Sequence, residues 1–242
     1  MKARICRARR VGSVVSRGMV LPYRRTRTES VRNGVDTESQ QPREETVMPF
    51  LTPEVTDERD ACATYAVQQL EQLRIAALDL DDAQLRAAPT AGTLSMGGLI
   101  AHVAQAVVRW LHHVYVHGVA VQDRGLAEEA FVLGFDGFWT GEEVPEETGT
   151  QLRDRLATAR DLVRPVLADA DFDARVPIPD APWFPKELES WNVRWVAHHL
   201  VAEVARHAGH ADIIREHLDG QIAYALNARD VGESFDWAEY AG

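Results

Sequence analysis

Proline and glycine limit where helices can run in this chain. Pro177, Pro179, Pro182 and Pro185 interrupt residues 171–189, and Pro89 with Gly92 breaks the chain earlier. Proline lacks the N–H that a helix interior needs and pushes the preceding residue out of helical conformation, so neither stretch can be helical throughout. The remaining segments carry a helical period. The first runs from about Asp57 to Leu80, with Ala61, Tyr65, Leu70, Leu73 and Leu78 among its apolar positions. The second begins near Ser95, a good N-cap, and continues to about Gly118. The third spans about Glu146 to Leu167, after a Gly-, Phe- and acid-rich loop at 125–146. The fourth starts after Ser190 or Asn192 and stops before Gly220, a residue suited to the left-handed position past a helix end. β signal is sparse, and the last stretch, with Trp237 and Tyr240, reads as an irregular cover. The expectation is an all-α fold, a four-helix bundle.

Charge divides the chain. Residues 1–47 hold eleven basic and five acidic residues, whereas the other 195 hold 15 and 32. The first 47 read as a disordered Arg-rich tail. It resembles a transit peptide in composition, but Met48 looks like a natural start, and an upstream extension is the preferred reading. The domain expected to fold is therefore 48–242. A net charge of −11 disfavours nucleic acid as a partner, and no apolar run is long enough for a bilayer. Cys6 and Cys62 form no paired framework, which suits a reducing cytosol. Cys62 reads as a small buried hydrophobe rather than a nucleophile. Lys2 and Lys186 are the only lysines among 26 basic residues, a bias that suggests a GC-rich genome.

All nine histidines follow residue 100, and five of them fall within 198–217. On a helix, His199, Glu203, His207 and His210 share an arc of about 80°. Val196, Leu200, Val204, Ala211 and Ile214 form the adjoining apolar face, while Arg194 and His198 point to the far side. Polar groups at the edge of a buried face cost about 1–3 kcal/mol each when unpaired. One divalent cation would satisfy imidazoles and a carboxylate together. Residues four apart project from one face, so two of these can share an ion. A third ligand from another helix is best supplied by His102, on the buried side of the second segment near Leu99 and Ala106. His113 and His117 lie further along that face, and His112 reads as surface. Spacing alone leaves Glu203 and His199 as alternatives for the second ligand.

Three stretches carry a family resemblance. They are the segment from Met48 with Thr56-Asp57-Glu58-Arg59, then Leu94-Ser95-Met96-Gly97-Gly98-Leu99-Ile100-Ala101-His102, and the run from Trp195 to Asp212. Together they resemble the DinB-like superfamily, closest to its actinobacterial branch of uncharacterised domains and related to mycothiol-dependent maleylpyruvate isomerase. The resemblance implies a four-helix bundle whose metal ligands are His102, Glu203 and His207. Glu203 stands where the commoner triad has histidine; the isomerase branch is similar in using His, Glu and His. His199 and His210 then become groups beside the ligands or the substrate, with a catalytic role. Arg206 would hold an anionic part of the bound molecule. Two histidines and a carboxylate with an open position form a catalytic type of zinc site. The implied activity is a metal-dependent transferase or isomerase, cytoplasmic, using a low-molecular-weight thiol (mycothiol) and an electrophilic substrate. The competing expectations are a non-catalytic metal or ligand-binding bundle, a hydrolase using metal-bound water, and a homodimer formed through Trp139, Trp183 and Phe184.

Overall fold

A computed structural model describes residues 51–133 and 140–236. The expectations for the basic tail, Cys6, Trp139, Trp237 and Tyr240 lie outside the described residues. Four long helices form the bundle: α1 (Glu58–Ala76), α3 (Met96–Gly118), α4 (Gly149–Asp169) and α5 (Val193–Asp219). Two short helices join them, α2 (Asp82–Arg86) and α6 (Ala223–Asp230). Around the bundle α1 neighbours α4 and α5, and α3 neighbours the same two. The interior between them is filled by side chains such as Leu70, Leu99, Leu111, Leu156, Val163 and Leu200.

The helix ends follow local chemistry. The side chains of Asp57, Ser95 and Asn192 each accept a backbone N–H three residues on, and Thr148 forms a reciprocal capping box with Gln151. Of the two caps considered for the last long helix, Asn192 is the one used. Gly220 ends α5 at φ +74°, where any Cβ would be strained. Carbonyls at two other ends are met by long-range arginines. Arg59 donates to Leu167 O at 2.6 Å and to Ala170 O at the end of α4. Arg215, only 2% exposed, donates to Ala76 O at 2.9 Å and Leu78 O at 2.6 Å at the end of α1.

The structure departs from the sequence expectations in a few places. Tyr65, expected on an apolar face, is 45% exposed. The first helix stops at Ala76, because Asp81 opens α2 with its own capping box. The stretch expected to be irregular after Gly220 contains α6, held to α1 by Arg74 paired with Asp230 and by Gln72 bonded to Asn227. The proline-rich stretch is a small antiparallel hairpin. β1 (Arg175–Pro177) pairs with β2 (Ser190–Asn192) in the register Val176↔Trp191. Pro177 ends β1 opposite Ser190, the loop 178–189 carries Pro179, Pro182 and Pro185, and β2 runs directly into α5.

Candidate metal centre

The candidate centre lies in the seam between α3 and α5. His102 comes from the second turn of α3. The first turn there carries Gly97 and Gly98, and the second of these is required by close packing. A Cβ on Gly98 would stand 2.3 Å from the carbonyl oxygen of Gly141. The backbone around 140–144 therefore lies directly across the start of α3. Gly141 itself has φ +93°, and a Cβ placed on it would be 3.9 Å from that of His102. This strap walls the site on the α3 side.

Glu203 and His207 come from successive turns of α5, as the i, i+4 spacing requires. One oxygen, Glu203 Oε1, faces both imidazoles: His102 Nε2 at 3.4 Å and His207 Nε2 at 3.1 Å. The two rings meet edge to face with centroids 4.7 Å apart. One candidate ligand atom from each residue can be chosen so that all lie within 4.8 Å of one another. The side chains are 14%, 28% and 13% exposed for His102, Glu203 and His207, so the cluster is shielded yet open on one side. The hydrogen bonds from His102 and then His207 hold the Glu203 carboxyl far below the usual carboxylate range, against the opposing effect of burial. Two metal–ligand bonds of about 2.1 Å at a tetrahedral angle separate their donor atoms by about 3.4 Å. The two spacings from Glu203 Oε1 to the imidazoles are already near that value. His207 Nδ1 is also buried without a hydrogen-bond partner. The donor set fits a single divalent cation.

Sequence reasoning named three further residues. His199 is half-buried one turn before Glu203. Burial lowers its pKa, and the negative charge of Glu203 offsets only part of that. His210 lies against His207, centroids 5.5 Å apart, with its Nδ1 buried and unpartnered. Its pKa is lowered by desolvation first, then by His207 and Arg206. Arg206 is exposed. On the other side of α5, His198 is exposed and bonds Glu58 at 3.2 Å, while Arg194 pairs with Glu58 and Asp173. Cys62 is 2% exposed, and burial pushes its thiol pKa up. It is the buried small side chain that the sequence suggested. His112 pairs with Glu128 at 3.0 Å near the surface. His113 and His117 stack on one another at 6.1 Å, away from the triad.

A group of aromatic rings escaped the sequence reading. Trp191 of β2 and Trp195 and His199 of α5 form one continuous stack. Trp191 and Trp195 lie 3.8 Å apart and nearly parallel, and Trp195 and His199 lie 4.7 Å apart. Trp110 of α3 sets its ring across all three, at 5.7 Å from His199. Phe184 of the hairpin loop closes on Trp110 and Trp191 at 5.8 and 5.5 Å, and so is partly buried rather than exposed as expected. The signal was present: 191, 195, 199, 203 and 207 continue one i, i+4 stripe.

A cavity of about 380 Å³ lies elsewhere, against α1 and α4, lined by Glu71, Arg74, Arg153 and Arg160 among others. None of the triad residues lines it. Arg74 and Arg160 there both pair with Glu71, so the donor convergence in the α3–α5 seam is the better guide to chemistry.

Comparison with known proteins adds a family. The model described as "Mycothiol-S-transferase" matches residues 63–220, well over half of the chain and all of the candidate centre. No curated protein matches the chain. A crystal structure of a conserved protein from Enterococcus faecalis aligns with a TM-score of 0.48 at 14% identity, over 69% of this chain and 100% of that one.

Proposed function

The chain belongs to the mycothiol-S-transferase family, and from that premise we propose that it joins a low-molecular-weight thiol, mycothiol, to an electrophilic substrate at a divalent cation held by His102, Glu203 and His207. The observation that carries this reading is the meeting of two imidazole Nε2 atoms on one oxygen of Glu203, at 3.4 and 3.1 Å. Zinc is the ion best matched to two imidazoles and one carboxylate. Such a cation, when bound, keeps a coordinating thiol deprotonated at neutral pH.

The protein's own groups would do the rest. Glu203 is ionised throughout the physiological range, and both imidazoles must be neutral to act as ligands. His199, kept neutral by burial and fixed by the rings around it, accepts the thiol proton. His210, beside His207, orients the bound thiol. Arg206 offers a guanidinium to an anionic part of the substrate. The activity is assigned to a domain spanning 48–242. A reaction that consumes a free thiol suits the reducing cytosol, and among the described residues no helix is long and apolar enough to cross a membrane.

Elemental analysis of the full chain tests the reading. Close to one divalent ion per chain is expected, and less than a tenth of that in Glu203→Ala and in His207→Ala, with helical circular dichroism retained. The cobalt-substituted protein should change its visible spectrum when mycothiol is added, through a new sulfur–cobalt charge-transfer band. Metal content equal to wild type in both variants would remove the site. A cobalt spectrum indifferent to thiols would remove the thiol and favour hydrolysis.

A further inference from the structure

The stripe on α5 does not end at the triad. Four residues, about 6 Å of helix rise, separate Trp195 from His199 and His199 from Glu203, and Trp191 at the end of β2 stacks on Trp195. The same rings meet Trp110, and the hairpin loop adds Phe184 and Trp183, whose centroids are 6.0 Å apart. Part of this assembly faces solvent: Trp183 is 59% and Trp195 36% exposed. Among the described residues, other large exposed apolar side chains include Leu51, Val121 and Ile213. An aromatic patch continuous with a reactive centre marks a ligand surface rather than an accident of exposure.

We infer that this shelf seats the electrophile, and that it selects an uncharged aromatic group carrying its reactive carbon on a short arm. The inference rests on the transferase reading above. Both faces of Trp195 are covered, by Trp191 and His199, so it offers a ring edge, which attracts the face of another arene. The rings are already locked against each other, so a flat ligand meets a surface that has little freedom left to lose. Lys186, the cation of this loop, is paired with Asp180 at 2.7 Å, and the loop also carries Glu187 and Glu189, which disfavours an anionic group. An arene placed on Trp195 puts a one-carbon arm, a halomethyl group, near the His199–Glu203 turns. There the thiolate sulfur attacks the halide-bearing carbon. The carbon–sulfur bond forms, the carbon–halogen bond breaks, and the halide leaves with the bonding electrons. The thiol proton has gone to His199.

Binding of 2-naphthalenemethanol, which has no leaving group, can be measured by equilibrium dialysis with the full chain. Trp195→Ala and the outermost substitution Trp183→Ala should each raise Kd at least fivefold. Trp183→Ala serves alone if Trp195→Ala does not fold. In mycothiol transfer, Trp183→Ala should raise KM for 2-(bromomethyl)naphthalene and leave that for iodoacetamide unchanged. Wild-type Kd in Trp183→Ala overturns the inference. So does a wild-type dimer that Trp183→Ala dissociates without changing probe affinity, because the shelf would then cover a second copy. If the wild type transfers thiol to neither electrophile while Kd still depends on Trp183, the transferase reading fails and the aromatic site stands.

Discussion

The bundle places ionisable groups in two of its seams and treats them differently. Against α1 and α4, Glu71 accepts from Arg74 at 2.5 Å and from Arg160 at 2.7 Å, and Arg74 reaches on to Asp230 at 2.6 Å. Every one of those charges has an opposite partner of its own, and the network ties α4 and α6 to α1. Between α3 and α5, two imidazoles share one carboxylate oxygen, and a buried ring nitrogen on His207 has no partner. Polar groups that complete each other hold a fold together. Groups that converge and stay incomplete are arranged for something else. The presence of charge therefore says little here, whereas its state of satisfaction separates a structural seam from a candidate site.

Three substitutions would break or sharpen that contrast. The largest effect is expected for Gly98→Ala. The new Cβ would stand 2.3 Å from a backbone oxygen, which a flexible side chain cannot relieve. A loss of about 2–3 kcal/mol is expected from overpacking. Because the displaced strap lies against His102, metal affinity should fall as well; thermal unfolding and metal titration measure the two together. A stability loss without any change in metal affinity would uncouple the strap from the site.

Next comes Arg74→Ala, which leaves Glu71 and Asp230 short of a partner. After discounting for partial solvent exposure, the cost should be about 1–2 kcal/mol, or roughly 3–6 °C in Tm. Metal content and thiol transfer should not change. Loss of either would show that the two seams are not independent.

The smallest effect concerns Asp212, on α5 beyond the triad. Desolvation first, and then Glu216, raise its pKa from 3.8 to about 6. The folded protein thus favours the neutral acid, and stability is lost as pH rises from about 4 through 6. Asp212→Asn should recover that loss at pH 7–8, by about 1 kcal/mol once solvent screening is allowed for, and differ little from wild type below pH 4. Chemical denaturation at the two pH values measures it. A gain that is the same at both would mean that ionisation of Asp212 is not the cause.

Much of this could be read in the chain. Helix ends were legible because capping is local: Ser95, Asn192 and Gly220 act on neighbours a few residues away. The members of the triad were legible too, but on two footings. Periodicity placed Glu203 and His207 on one face, whereas choosing Glu203 over His199 needed the resemblance to known proteins. Missing were the features made by pairs distant in sequence. Arg215 caps α1 from about 140 residues away, and nothing in its own neighbourhood announces that. Trp191 and Trp195 were visible at helical spacing, yet spacing cannot tell a core ring from a shelf.

Sequence by itself determined the four long helices, most of their ends, and that a polar stripe borders the apolar face of the last one. Those properties depend on φ/ψ preference, capping and a 3.6-residue period, all of which act over a turn or two. Tertiary structure alone decided the distances at which His102 and His207 meet Glu203, that Gly141 closes on Gly98, and that Trp110 and Phe184 close on Trp191 and Trp195. These are contacts between elements, set by how the apolar faces pack, and packing is a property of the whole chain.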